Sequence, residues 1–225
     1  MHLNSPAPLL PADLAQIRRW QDECDLGPPV AARIETWVRY QEQADGSWYD
    51  DPRACPVAPI FRLGIYLIND ALRLLGEPEA VQVFESRLFT GRPTADNGQL
   101  AIRFRGGALA SIFASFCVGD GVAYANACVL HFERGTVYAN FGPPSGEAGQ
   151  VRLHLVTPGG EGPPRVRSAS VPAEKRSGAY QWDVFARAVR GEKLADEVTP
   201  EQVAAGIRVV RAMARAAASG RTEPV

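Results

Sequence analysis

Arg62, Tyr66, Asn69 and Arg73 follow one another at steps of 4, 3 and 4, the spacing that aligns side chains along one face of a helix. Phe61, Ile65, Ile68, Leu72 and Leu75 run beside them at similar spacing, so the segment reads as a largely buried helix with a polar stripe. Polar groups on such a helix must face a partner, a cavity or water. A phenol, an amide and two guanidiniums can together hydrogen-bond a polar ligand, and a phenol can exchange a proton. Trp48, just upstream, is open to two readings: a ring that stacks on a sugar, or an ordinary core or interface aromatic. Arg73 also has a second reading, as the partner of Asp70 or Glu77 on the helix surface.

Other chemistries find little support. Cys24, Cys55, Cys117 and Cys128 form no CxxC pair, and His2, His131 and His154 are equally scattered. That pattern points to reduced structural thiols in a cytoplasmic protein and argues against a metal site. Walker, HExxH and nucleophile-elbow motifs are missing. The nearest approach to a dinucleotide fingerprint, Gly119-Asp120-Gly121, lacks the third glycine and leads into a strand pattern. The 24 basic and 25 acidic residues are mixed and leave a net charge of −1, which offers no concentrated surface for nucleic acid or an anionic membrane. No apolar run approaches the ~18 residues of a membrane span, and the N-terminus lacks the marks of a signal peptide.

The elements that must position the stripe follow from periodicity. A helix is predicted from Pro11 to Cys24 through Leu14, Ile17 and Trp20, then a half-buried strand with Val30, Ala32, Ile34, Thr36, Val38 and Tyr40 on one side. Residues 42–58 read as loop, and Phe61 to Leu75 as the helix of the stripe, stopped by Gly76-Glu77-Pro78. The period then switches to two, with strands expected at 80–89, 98–105, 108–117, 122–133, 136–141, 151–156 and 165–171. Glycine turns between them imply an antiparallel meander, with Ser111, Ser115 and Asn126 marking a more polar face. A helix from Tyr180 to Arg190 is expected to bury Trp182, Phe185 and Val189. The last helix opens on the capping box Thr199-Pro200-Glu201-Gln202, stops at Gly220, and is expected to bury Val203, Ile207, Val210, Ala214 and Ala217. The class is α+β: a large open, mainly antiparallel sheet with helices packed on one face and no Rossmann domain. The other face of the sheet then needs a cover, for which a second subunit is the natural candidate.

Pro59 to Pro78, PIFRLGIYLINDALRLLGEP, resembles the signature helix of the Gfo/Idh/MocA oxidoreductases. Val81–Phe89, the DNGQLAIRFRGGALA run from Asp96, the Tyr180 segment and the terminal helix are similar to later parts of that family's C-terminal domain, and Pro11–Gly27 to the helix that crosses from its Rossmann half. The resemblance implies residues 1–27 as a crossing strand remnant and helix, and 28–225 as a substrate-binding and dimerisation domain. Relatives read D-x-G-x-H-x-x-D where this chain has Arg62, Gly64, Tyr66 and Asn69. Tyrosine in the histidine's place is similar to the glucose–fructose oxidoreductase and dihydrodiol dehydrogenase branch. The resemblance therefore implies Tyr66 as acid/base, Arg62 as a cation beside it, and Asn69, Trp48 and Arg73 as contacts to a sugar. Arg62 reverses the family's acidic charge, and Pro56-Val57-Ala58 replaces its glycine-rich run.

The expected function is the substrate-binding and dimerisation domain of a sugar- or polyol-type oxidoreductase, inactive alone. It would bind no cofactor itself and would use NAD or NADP once a Rossmann partner, encoded separately or lost by truncation, is supplied. A homodimer or higher oligomer through the sheet is expected. The alternative is a non-catalytic scaffold derived from this domain, and a third reading is a lyase or isomerase built on Tyr66 and Arg62.

Overall fold

The computed structural model describes residues 10–121, 125–143, 149–173, 182–192 and 199–225. Helix α1 (Ala12–Glu23) leads into β1 (Pro29–Trp37), and α2 (Ile65–Leu75) leads into β2 (Pro78–Ser86). β3 (Asn97–Phe104), β4 (Leu109–Ser115), β5 (Ala125–Phe132), β6 (Gly135–Ala139), β7 (Gln150–Gly159) and β8 (Gly162–Pro172) follow. Helices α3 (Trp182–Val189) and α4 (Pro200–Ser219) and the short β9 (Glu223–Pro224) close the chain.

All the strands join one nine-stranded sheet in the order β8-β7-β6-β5-β1-β4-β3-β2-β9. Alternation divides its two faces: Ile34, Leu100, Ile112, Leu130 and Leu153 point to one side and are 0–3% exposed. α1, α2 and α4 lie on that side, and Leu14, Ile17, Leu67, Ile68, Val209 and Met213 complete the same core. Removing Ile68 to alanine from this packing costs about 2–5 kcal/mol.

The meander expected from the glycine turns is interrupted. β1 inserts between β4 and β5, pairing parallel with β4 (Ile34 opposite Ile112) and antiparallel with β5 (Ile34 opposite Cys128). A strand far upstream in sequence sits there because its inward column is as apolar as those of its neighbours, which no turn signal records. The polar face also needs correction. Thr36 pairs with Asn126, so Asn126 lies under the helices, whereas Ser111 belongs to the opposite column.

The helix faces differ from expectation as well. Trp182, Phe185 and Val189 on α3 are 64%, 39% and 71% exposed rather than buried. On α4 the buried set is Ala205, Gly206, Val209, Ala212, Met213 and Ala216, and Ile207 is 53% exposed. The small residues face inward because α4 packs against both α2 and β2, where a close approach outweighs side-chain bulk. Its capping box forms as expected, with Thr199 and Gln202 bonded reciprocally, and Gly220 ends it in the left-handed conformation at φ 65°. The Tyr180 start of the α3 segment, the first residues of the strand expected at 122–133, and residues 1–9 lie outside the described residues.

Candidate functional site

The stripe helix does not begin as an α-helix. Ile60–Gly64 form one π-helical turn, which continues into α2, and such turns concentrate at functional sites. The wider turn shifts the register of the expected apolar stripe: Ile60, Leu63, Leu67, Ile68 and Ala71 are buried, while Phe61, Ile65 and Leu72 are only half-buried. Just before it, Val57 holds φ at 48°, a left-handed conformation costly for a β-branched residue. Val57 is nevertheless 2% exposed, and its carbonyl accepts the Ile60 and Phe61 N–H groups at 2.9 and 3.1 Å. The backbone here keeps a shape suited to glycine while the side chain fills the core, and strain of this kind gathers at sites.

Arg62 leaves the first turn toward the 42–50 loop. Its two terminal nitrogens donate to the two carboxylate oxygens of Glu42, both at 2.7 Å. The guanidinium carbon lies 4.1 Å from the Tyr49 ring centroid, 4.7 Å from Phe116 and 5.3 Å from Tyr40. Arg92, 7% exposed, donates to the same Glu42 at 2.8 Å, to Asp45 at 2.9 Å and to Asp50 at 2.8 Å. The bond from Arg62 leads in holding Glu42 below the ordinary glutamate range, and Arg92 adds to it. Asp45 is lowered chiefly by its bond from Arg92. Burial would raise Asp50, but Arg92 and the N–H groups of Gly46 and Asp45 outweigh it. Trp48 sits on this loop, 50% exposed, with its ring 4.1 Å from Tyr49 and 6.1 Å from Phe61.

The neighbouring loop is held by one carboxylate. Asp96 is fully buried and accepts the N–H groups of Leu88, Phe89 and Thr90 at 2.8, 2.8 and 2.9 Å. Burial pushes its pKa up, the three N–H bonds push it down, and the net direction is down.

Beneath the helix layer the chemistry changes. The hydroxyl of Thr36 and the amide oxygen of Asn126 are buried and have no hydrogen-bond partner among the described residues. The two residues face each other across β1 and β5, and α2 and the π-helical turn both pack on β1 and β4. Buried polar atoms are almost always satisfied in folded proteins, so this pair marks an unusual place on the sheet floor beneath α2. Tyr66 is half-buried on α2, and among the described residues none hydrogen-bonds its hydroxyl.

The C-terminal half of the stripe faces elsewhere. Asn69 and Arg73 line a groove of about 370 Å³ between α2, the start of β2 and α4. Arg18 of α1 donates to the Arg73 carbonyl at 2.9 Å. The structure thus groups Arg62 with Trp48 through Tyr49 and Phe61, groups Asn69 with Arg73, and leaves Tyr66 on the helix between the two sets.

Sequence reasoning missed Glu42, Asp45, Asp50 and Arg92, because loop charges 40–50 positions apart carry no period. Thr36 did leave a signal, as the one hydroxyl among the buried residues Ala32, Ile34 and Thr36 of β1. Cysteine chemistry is disfavoured: burial pushes the fully buried Cys55 thiol up to about 11 and also raises Cys117. The Gly119–Gly121 turn runs toward β5, and among the described residues no glycine-rich turn opens a helix that could cradle phosphates.

Residues 14–138, more than half of the chain, match the GFO/IDH/MocA C-terminal domain. No curated protein matches the sequence. Among solved structures, aldose–aldose oxidoreductase from Caulobacter crescentus superposes over 95% of this chain and 61% of its own, at 21% identity and a TM-score of 0.67. Levoglucosan dehydrogenase in complex with NADH covers 92% and 61%, at 17% identity and 0.68. An oxidoreductase from Agrobacterium radiobacter, in complex with NAD+, L-tartaric acid and magnesium, covers 94% and 61%, at 16% identity and 0.66. The fold is common to all three, and the present chain spans about 61% of their length.

Proposed function

The chain belongs to the GFO/IDH/MocA family, whose C-terminal domain it matches, and on that premise we propose that it is the substrate-binding half of a sugar- or polyol-type nicotinamide oxidoreductase. The observation that carries this reading is the unsatisfied pair Thr36 and Asn126 on the sheet beneath the helix that bears Tyr66. A polyol hydroxyl both donates and accepts, and so supplies what these two atoms lack. Tyr66 is the group that gives or takes the proton of a substrate carbinol. Arg62, locked on Glu42, is a positioning residue that fixes the first turn of the helix. Trp48 offers a half-exposed ring to a sugar face, and Asn69 and Arg73 extend the polar stripe.

The nicotinamide, NAD or NADP, belongs in this reading to a Rossmann-type partner, and the chain alone does not turn over. Two of the solved relatives hold NADH and NAD+ and are longer than this chain, which supports placing the nicotinamide outside the described residues. A second copy is the proposed cover for the open sheet face. Exposed Leu109 (55%) lines a trough of about 450 Å³ together with Ala31, Ala101 and Ser111, a shape that accepts bulky side chains. The setting is cytoplasmic. A non-catalytic scaffold is the second reading, favoured by one observation: the charge at position 62 is spent on a structural ion network.

The test is titration of the purified chain with hexoses and hexitols by calorimetry, and with NAD(H) and NADP(H) by tryptophan quenching. The expected result is saturable sugar binding, weakened at least fivefold in Thr36→Val and Asn126→Leu, with no dinucleotide binding. Tight dinucleotide binding to the chain alone, or sugar binding indifferent to both substitutions, overturns the proposal.

A further inference from the structure

The groove between α2 and α4 has its own lining, which shares neither Tyr66 nor Thr36 with the sheet floor. Its lining includes Asn69, which is 9% exposed, and among the described residues none hydrogen-bonds its side-chain amide. Gly206 on α4 makes the arrangement possible: a Cβ there would lie 2.7 Å from the Asn69 amide oxygen. Leu72, Pro78 and Ala205 give the groove apolar walls, and Arg208 lies in it exposed. Two acids share the groove, and both are engaged. Glu77 pairs with Arg105 at 3.0 Å, and Glu201 is held below the ordinary glutamate range by its own backbone N–H and the Thr199 hydroxyl, at the first turn of α4. Among the described residues no carboxylate pairs with Arg208.

We infer that this groove binds a small organic carboxylate, its oxygens taken by the Arg208 guanidinium and the Asn69 amide, its carbon body against Leu72, Pro78 and Ala205. A guanidinium meets a carboxylate with two parallel N–H bonds, and an amide that none of the described residues bonds gains a hydrogen bond from the same group. The inference does not rest on the oxidoreductase reading, because neither Tyr66 nor a dinucleotide enters it.

Calorimetric titration of the full chain with D-gluconate, inorganic phosphate and D-glucose tests it. Gluconate is expected to bind at one saturable site, at least tenfold more weakly in Arg208→Glu, an exposed substitution that leaves the core untouched. Asn69→Leu should weaken it by a similar factor, with its melting curve read alongside to confirm the fold. Phosphate competing with gluconate identifies a general oxyanion seat, and phosphate failing to compete identifies one that needs the organic body; both uphold the groove. The inference is overturned if gluconate does not saturate, if Arg208→Glu binds it unchanged, or if neutral glucose displaces it equally well.

Discussion

The fold takes polar groups out of water in two places and treats them in opposite ways. Around Arg62 and Arg92, three carboxylates and three aromatic rings meet two guanidiniums, so each cation has both an anion and a π-face. On the sheet floor, the Thr36 hydroxyl and the Asn126 amide oxygen are buried with no partner among the described residues. The first arrangement ties the 42–50 loop, Arg92 and the first turn of the stripe helix together, and needs no ligand. The second leaves hydrogen bonds unmade, a cost of about 1–3 kcal/mol for each group, and in the proposed function a substrate hydroxyl supplies them. In the proposed reading the ion network is scaffold and the sheet floor is site, although the buried Ser47 hydroxyl of the 42–50 loop also has no partner among the described residues.

That contrast breaks most visibly at Arg92. Arg92→Ala leaves Glu42, Asp45 and Asp50 facing one another without their shared cation, and an expected loss of about 3 kcal/mol in urea unfolding. The figure sits at the low end for a buried network because Asp45 is half-exposed and water screens it. The same variant should change the acid limb of stability. Glu42, Asp45 and Asp50 are lowered in the folded state, so their stabilisation is complete above the unfolded carboxylate range of about 4 and is lost as pH falls through the lower folded values. The native chain should lose stability progressively below about pH 4, and Arg92→Ala should flatten that limb. An equally steep acid limb in the variant would show that other carboxylates control it.

Asp96→Asn comes next. It keeps the shape but gives up the charge that accepts three backbone N–H groups, at an expected cost of about 2 kcal/mol. On the floor the sign reverses. Thr36→Val replaces an unsatisfied hydroxyl with a methyl of nearly equal volume, and should stabilise the free chain by about 1 kcal/mol while weakening sugar binding. Destabilisation by this substitution would mean that the hydroxyl is satisfied in solution, and the contrast between scaffold and site would lose its basis.

How much of this the sequence carries depends on range. Local patterns were legible: all eight expected strands and the capping box at Thr199 formed within the described residues, because alternation and capping are decided within a few residues. What depends on distant segments was not. Nothing near β1 says that it will pair with Leu109–Ser115, and the buried face of α4 was misread because small residues were discounted where a close helix approach needs them. At the site, the stripe identified Tyr66 and Asn69 as residues of interest. The same stripe did not reveal that Arg62 points to Glu42, since its partner lies in a loop 20 residues upstream.

The smallest expected effect is at Tyr66, and it separates two tyrosines that composition cannot tell apart. Tyr49 is part of the scaffold: its ring stacks 4.1 Å from the Arg62 guanidinium, and its carbonyl accepts the Thr94 hydroxyl at 2.9 Å. Tyr49→Leu should therefore cost about 1–2 kcal/mol, combining a lost cation–π contact with poorer packing. Among the described residues none bonds the Tyr66 hydroxyl, so Tyr66→Phe removes an oxygen that the fold does not use. Its unfolding free energy should stay within about 0.5 kcal/mol of the native chain. A loss of more than about 1 kcal/mol would mean that the hydroxyl makes a structural hydrogen bond, and Tyr66 would move to the scaffold side of the comparison. A silent substitution leaves the phenol free for a substrate, which an acid/base residue requires before its partner arrives.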